Sequence, residues 1–137
     1  MKMDYAVVIV TYNRELLLRE CVQQVEKQTV SASKVIIVNN ASTDGTQKYL
    51  EELSQKNSVY QIIEWNKNLG GAGGFARGIA CAINCDIDCV LLIDDDAMLC
   101  ADYMALLLEQ RDRNPQYGAF AGCVLVNGKI DTHHRKN

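Results

Sequence analysis

Long hydrophobic runs are missing from this chain. Every apolar stretch is broken by charge before the roughly 18 residues that a membrane-spanning helix requires, and Met1-Lys2-Met3-Asp4 has neither the basic nor the apolar region of a signal peptide. A cytoplasmic, soluble chain is therefore expected. An excess of positive charge is missing too. With 14 Lys and Arg against 17 Asp and Glu, the net charge is -3 and the pI about 5.3. That leaves no broad basic footprint for nucleic acid, so an anionic ligand needs a metal or a local Arg. Repeats and low-complexity segments are absent, and the single proline, Pro115, marks only the end of one helix. The six cysteines lack the C-x2-C pairs of structural zinc sites, even in Cys81-x3-Cys85-x3-Cys89. With no export signal and mostly apolar surroundings, Cys21, Cys81, Cys85, Cys89, Cys100 and Cys123 are expected as reduced, buried thiols.

The most informative feature present is Leu91-Leu92-Ile93-Asp94-Asp95-Asp96-Ala97. An apolar strand that stops at three adjacent carboxylates concentrates negative charge at a strand's carboxyl end. In open α/β sheets that edge binds ligands, and a hard divalent cation held by one or two carboxylates and substrate phosphates offsets such charge. The competing explanation is a turn with a helix N-cap, where Asp is also favoured.

The 137 residues suit one domain. Residues 1–128 are read as that domain and 129–137 as a polar, frayed tail. Tyr5 to Thr11 and Val35 to Val38 are continuous apolar runs, expected as strands covered on both faces. Leu16, Leu17, Cys21, Val22 and Val25 recur at helical spacing, with Asn13 as N-cap. Asn39 to Thr46 is dense in turn and cap formers ahead of a helix from Gln47 to Gln55. A third strand covers Tyr60 to Trp65, a helix runs to about Asn84, and a fourth strand covers Cys89 to Ile93. A helix from Ala101 to Arg111 and a fifth strand from Ala119 to Val126 complete the reading. Such alternation specifies right-handed βαβ units, a parallel sheet with helices on both faces. The segments beginning at Thr11, Asn39, Asn66 and Asp94 then gather at one edge as a single site.

Asn68-Leu69-Gly70-Gly71-Ala72-Gly73-Gly74-Phe75-Ala76-Arg77-Gly78 holds five of the nine glycines up to Gly78. Accessible amides ahead of a helix N-terminus make an anion or nucleotide cradle, with Arg77 one turn in and able to reach a phosphate. A flexible loop with tight helix packing is the plainer account. Gly71-x-Gly73-x-x-Ala76 also satisfies the dinucleotide fingerprint, with acidic residues about 20 positions on, so a Rossmann-type dinucleotide-binding oxidoreductase is the alternative. That fingerprint belongs straight after a strand, usually the first, and three aspartates beside it would repel one another without a cation.

Taken together, Val10-Thr11-Tyr12-Asn13-Arg14, Val38-Asn39-Asn40-Ala41-Ser42-Thr43-Asp44-Gly45-Thr46, the glycine-rich segment and Asp94-Asp95-Asp96-Ala97 resemble the family-two inverting glycosyltransferases. Within them the glycine segment and triple aspartate are most similar to the galactofuranosyl- and rhamnosyltransferase-like branch. The resemblance covers about residues 4 to 100. It implies a GT-A fold: a Rossmann-like, mostly parallel sheet flanked by helices, here truncated before the acceptor-binding part.

The resemblance also implies roles. Thr11, Tyr12 and Arg14 line the nucleotide pocket, and Asn39, where the family commonly has Asp, addresses the uracil edge through its carbonyl. Asn68, Gly70 and Gly71 contact the nucleoside and diphosphate, and Arg77 sits near the phosphates or supports the aspartates. Asp94 and Asp96 are the ends of a D-x-D motif for Mn²⁺ or Mg²⁺, which neutralises the departing diphosphate. Asp95 faces the sugar or ribose. The implied partners are a UDP-sugar, or a dTDP-sugar, and a glycan or glycolipid acceptor. No nucleic acid partner and no membrane segment are expected. The catalytic base, and often a metal-binding His, lies in the family well past the fifth strand and is expected beyond Asn137. Asp131, His133 and His134 come too soon after the aspartates to match. Donor binding with little or no transfer is the expectation for this chain, with self-association through apolar surface left uncovered. A non-catalytic nucleotide-sugar-binding module shares the same pocket and is a third reading.

Overall fold

In the computed structural model, which describes residues 3–131, the apolar runs form the inner strands of a parallel sheet. These are β1 (Tyr5–Thr11) and β2 (Lys34–Asn39), with β3 (Tyr60–Glu64) and β4 (Cys89–Asp94) outside them in the order β3-β2-β1-β4. All of β1 is buried, as is β2 beyond Lys34, because both faces are covered. On edge strand β4, Leu91 and Ile93 point inward while Val90 and Leu92 stay exposed.

The helices divide between the faces. α1 (Glu15–Glu26), α2 (Thr46–Lys56) and α4 (Tyr103–Arg113) close one core, in which Leu18, Val22, Leu50, Leu53 and Met104 meet Tyr5, Val7, Ile9, Val35 and Ile37. α3 (Gly70–Ile83) covers the other face, where Ala82 packs with Ala6, Val8 and Ile36. The alternating βαβ order expected from the sequence is present through the fourth strand.

The fifth strand is a correction. Leu125–Val126 (β5) pairs antiparallel with Lys129–Ile130 (β6) in a separate hairpin, and residues 119–124 are irregular. The turn is Asn127-Gly128, both at positive φ (51° and 74°), the backbone that a two-residue hairpin demands and that Asn-Gly supplies. The hairpin also straddles the expected domain limit at residue 128. His133 and His134 lie outside the described residues.

The glycine-rich segment differs as well. Gly70 to Gly74 do not form a loop ahead of the helix but lie in the first turns of α3. A Cβ at Gly74 would come within 2.5 Å of Val10 Cγ1, and one at Gly78 within 2.2 Å of Val8 Cγ1. These two glycines let the helix backbone approach the sheet. Asn13 is likewise not the α1 cap. It takes a left-handed φ of 52° and accepts the Thr43 amide at 2.6 Å, Arg14 stands at the cap position, and Asp44 accepts the Glu15 amide at 3.2 Å. The other oxygen of Asp44 accepts the Thr46 amide at 3.0 Å, so one carboxylate meets the amino ends of α1 and α2. Cys21 is buried as expected, but Cys100 and Cys123 are exposed; neither lies in a regular element that could bury it.

Gly78→Ala is expected to lower stability by about 1–3 kcal/mol through overpacking against Val8. Gly71→Ala, where a Cβ meets nothing within 4 Å, is expected to leave stability unchanged or raise it by up to about 1 kcal/mol. Urea denaturation of both variants checks the contrast, and equal midpoints would refute it.

Candidate functional site

At the carboxyl edge the strand register aligns four polar side chains in one row. Thr11 stands opposite Asn39, Asn39 opposite Glu64, and Asp95, one residue past the Val10 and Asp94 pair, beside Thr11. All four lie on the face that carries Ile9, Ile37, Ile62 and Ile93, because side chains alternate along a strand. Thr11 and Asn39 are each 1% exposed.

The row is bonded in two pairs. Thr11 Oγ1 donates to Asp95 Oδ2 at 2.8 Å, and Asn39 Nδ2 donates to Glu64 Oε2 at 2.8 Å. Asn39 Oδ1 accepts the Ser42 amide at 3.1 Å and so folds the following loop back onto the edge. Burial pushes the Glu64 carboxyl up; the bond from Asn39 opposes that rise and nearby Glu51 adds to it.

The three aspartates are not equivalent. Asp95 is buried, with Arg14 Nη1 at 3.3 Å from its Oδ1 in addition to Thr11. Its carboxylate is thus turned into the protein, because it continues the inward positions Leu91 and Ile93. Asp94 and Asp96 are exposed. Arg14 Nη1 also lies 3.1 Å from Asp96 Oδ2, whereas the Asp94 carboxylate has no hydrogen bond or ion pair among the described residues. Below them, Cys21 Sγ donates to the Asp94 carbonyl at 3.7 Å, and burial, reinforced by the three carboxylates, pushes its thiol up to about 12.

Arg77 does not support the aspartates. It is exposed on α3 with its guanidinium 5.9 Å from the centre of the Trp65 ring, and the cation that meets the aspartates is Arg14. The reason is placement: Arg77 lies two turns into α3 because the glycines before it are already helical.

The remaining expected residues surround the same edge. Tyr12 is exposed directly after Thr11. Asn68 Oδ1 accepts the Gly70 amide at 2.8 Å. Gly70, at φ 72°, and Gly71 have open space where a Cβ would stand, beside first-turn amides without intrahelical acceptors. Asn40 Nδ2 donates to the Gly70 carbonyl at 3.0 Å, while Asn40 Oδ1 and Trp65 Nε1 are buried without partners among the described residues. Glu64, Trp65 and Asn40 were not anticipated, although each ends or follows a strand at this edge.

The donor set suits a hard divalent cation. Asp94 and the outer oxygen of Asp96 are oxygen donors open to solvent. Among the described residues, no group of three His, Cys, Asp or Glu is gathered to hold an ion unaided. A hard divalent cation can take one or two of its ligands from protein carboxylates and the rest from water and phosphates.

A parallel sheet with a polar, acidic carboxyl edge and helices on both faces is the architecture of the GT-A glycosyltransferases. A mannosyltransferase from Pyrobaculum calidifontis, solved with GDP-Man and Mn²⁺, superimposes with a TM-score of 0.71 at 21% identity, over 81% of this chain and 33% of that one. S. aureus TarS in complex with UDP-GlcNAc gives 0.70 at 22% identity, over 82% and 32%. The sequence profile of Glycosyl transferase family 2 matches residues 6–137, and the chain belongs to that family. An uncharacterized glycosyltransferase of Haemophilus influenzae is 32% identical over 76 residues, 56% of this chain and 24% of that protein. The poly-beta-1,6-N-acetyl-D-glucosamine synthase of Staphylococcus epidermidis is 25% identical over 118 residues, 86% and 28%. The chain therefore spans about a quarter of these relatives and a third of the structures.

Thr11→Val keeps shape but removes a donor from the buried Asp95 carboxylate. It is expected to lower stability by about 1–3 kcal/mol. A urea midpoint equal to that of the wild type would show that Arg14 alone satisfies Asp95.

Proposed function

We propose that this chain is the donor-binding part of an inverting glycosyltransferase that moves a sugar from a UDP-linked donor, with dTDP as the second choice, to a glycan or glycolipid acceptor. The observation that carries the reading is the pairing of a locked, buried Asp95 with two solvent-facing carboxylates, Asp94 and Asp96, at the strand ends of a family-two chain. Support for a nucleotide-sugar comes from the relatives in complex with GDP-Man and UDP-GlcNAc. The glycine-rich segment and triple aspartate favour the galactofuranosyl- and rhamnosyltransferase-like branch.

In this reading Thr11, Tyr12, Asn39 and Asn68 surround the nucleoside, and the diphosphate approaches the α3 amino terminus over Gly70 and Gly71, where no side chain stands in the way. Asp95 receives Thr11 and Arg14 and so keeps the nucleotide pocket in register with the acidic end. Asp94 and Asp96 hold Mn²⁺ or Mg²⁺, which when bound supplies the positive charge that stabilises the departing nucleoside diphosphate. The contact from Arg14 to Asp96 is half exposed and weak, so Asp96 exchanges it readily for a stronger cationic partner. The base that deprotonates the acceptor is assigned to residues past Asn137, and the isolated chain transfers no sugar. None of its described helices is long and apolar enough to cross a membrane, and we assign the reaction to the cytoplasmic side. The apolar side chains exposed on β4, Val90 and Leu92, are a surface for self-association.

Calorimetric titration of UDP with and without Mn²⁺, with NAD as the competing ligand, tests the reading. The expected outcome is metal-dependent UDP binding that weakens at least roughly tenfold, about 1.4 kcal/mol, in Asp94→Ala/Asp96→Ala. Metal-independent NAD binding would instead support a dinucleotide-binding domain. UDP binding that ignores both metal and substitution would remove the cation from the mechanism.

A further inference from the structure

We propose that Glu64 is the residue that selects the base of the donor nucleotide, by accepting a hydrogen bond from the ring N–H that uracil carries and cytosine lacks. The inference rests on the donor-binding reading above and adds which side chain discriminates.

The argument begins with Asn39. It is 1% exposed, and its amide is committed at both ends, to the Ser42 amide through Oδ1 and to Glu64 through Nδ2. Those two bonds fix its orientation, since reversal would set donor against donor at Ser42 and oxygen against carboxylate at Glu64. The carbonyl that the family resemblance assigns to the base therefore has one lone pair taken by the loop and is closed off from solvent by burial.

Glu64 stands next in the same row, at the carboxyl end of β3 and exposed. Asn39 holds its Oε2, and Oε1 has no partner among the described residues. A carboxylate oxygen only accepts, so the free oxygen matches a base edge that offers N–H and opposes one that offers a ring-nitrogen lone pair. Partial burial, which raises the Glu64 carboxyl, has already removed some of its water, so less remains to be stripped by a ligand. The short bond to Asn39 orients the carboxylate before the nucleotide arrives.

Glu64→Gln gives a test with a sign. Asn39 Nδ2 still demands an acceptor, so the new amide turns its carbonyl there and presents NH₂ toward the base. An acceptor becomes a donor without loss of volume. In calorimetric titrations with Mn²⁺, the wild type is expected to bind UDP roughly tenfold or more tightly than CDP, and the UDP-to-CDP affinity ratio is expected to fall at least tenfold in Glu64→Gln. A role confined to holding Asn39 would weaken both nucleotides alike and leave the ratio unchanged. Wild-type protein that binds UDP and CDP equally overturns the assignment without reference to the variant. An unchanged ratio in a variant that binds nucleotide overturns the assignment and leaves the donor reading standing. Wild-type protein that binds neither nucleotide overturns both.

Discussion

A carboxylate withdrawn from water must be met by donors, and Asp95 is met by two from the far end of the chain, Thr11 at 2.8 Å and Arg14 at 3.3 Å. Leaving a buried charge unpaired costs several kcal/mol, more than the net worth of any one hydrogen bond in the sheet. The ends of β1 and β4 are therefore held together across 84 residues of sequence. The rest of the edge takes its position from that contact. Thr11 stands opposite Asn39, Asn39 bonds the Ser42 amide, and the loop so folded carries Asp44 to the amino ends of α1 and α2. One buried carboxylate thus sets the boundary conditions for two strand ends, a loop and two helix starts.

The same contact divides the labour of Arg14. Its guanidinium lies between a buried carboxylate and an exposed one. An exposed pair contributes at most about 1 kcal/mol and is screened by salt, whereas the pair with Asp95 has one partner, the carboxylate, withdrawn from water. Arg14 is anchored by Asp95 and only tethered to Asp96. Three adjacent carboxylates with a single guanidinium, which meets only two of them, leave an excess of negative charge, and that excess lies on Asp94 and Asp96, the two that alternate outward.

Much of this was legible in the sequence because the signals were local. The runs Tyr5 to Thr11 and Val35 to Val38 could only be strands covered on both faces, and Asp94 to Asp96 had to end one. Other features depended on backbone geometry that composition does not report. Five glycines read equally as a loop or as a helix pressed against a sheet; Val8 and Val10, close to Gly78 and Gly74, decide for the helix and thereby carry Arg77 away from the aspartates. The hairpin at Asn127-Gly128 had a clear turn signal, yet the apolar run before it has the composition of a strand in the main sheet. At the site, alternation along β4 already separated Asp95 from its neighbours. The Asn39 and Glu64 pair joins residues 25 apart in sequence and needed the β2 to β3 register before it could be seen.

That register also gives the proposed donor site its length. Glu64, Asn39 and Thr11 end three adjacent strands and Asp95 directly follows the fourth, so the row covers three strand spacings, about 14 Å. Its ends differ in chemistry: one is an oriented carboxylate oxygen on β3, the other an acidic cluster on β4 that favours cations. A nucleoside diphosphate is similarly polarised, with hydrogen-bonding donors on its base and negative charge at its phosphates. Laid along the row with the base at Glu64, it would bring its phosphates to the end where a cation is needed, with the α3 amino terminus beside the path. The opposite direction would set phosphates against Glu64 and leave the aspartates uncompensated. The order of strands in the sheet, fixed by the core and independent of any ligand, is thus sufficient to give the proposed site a direction.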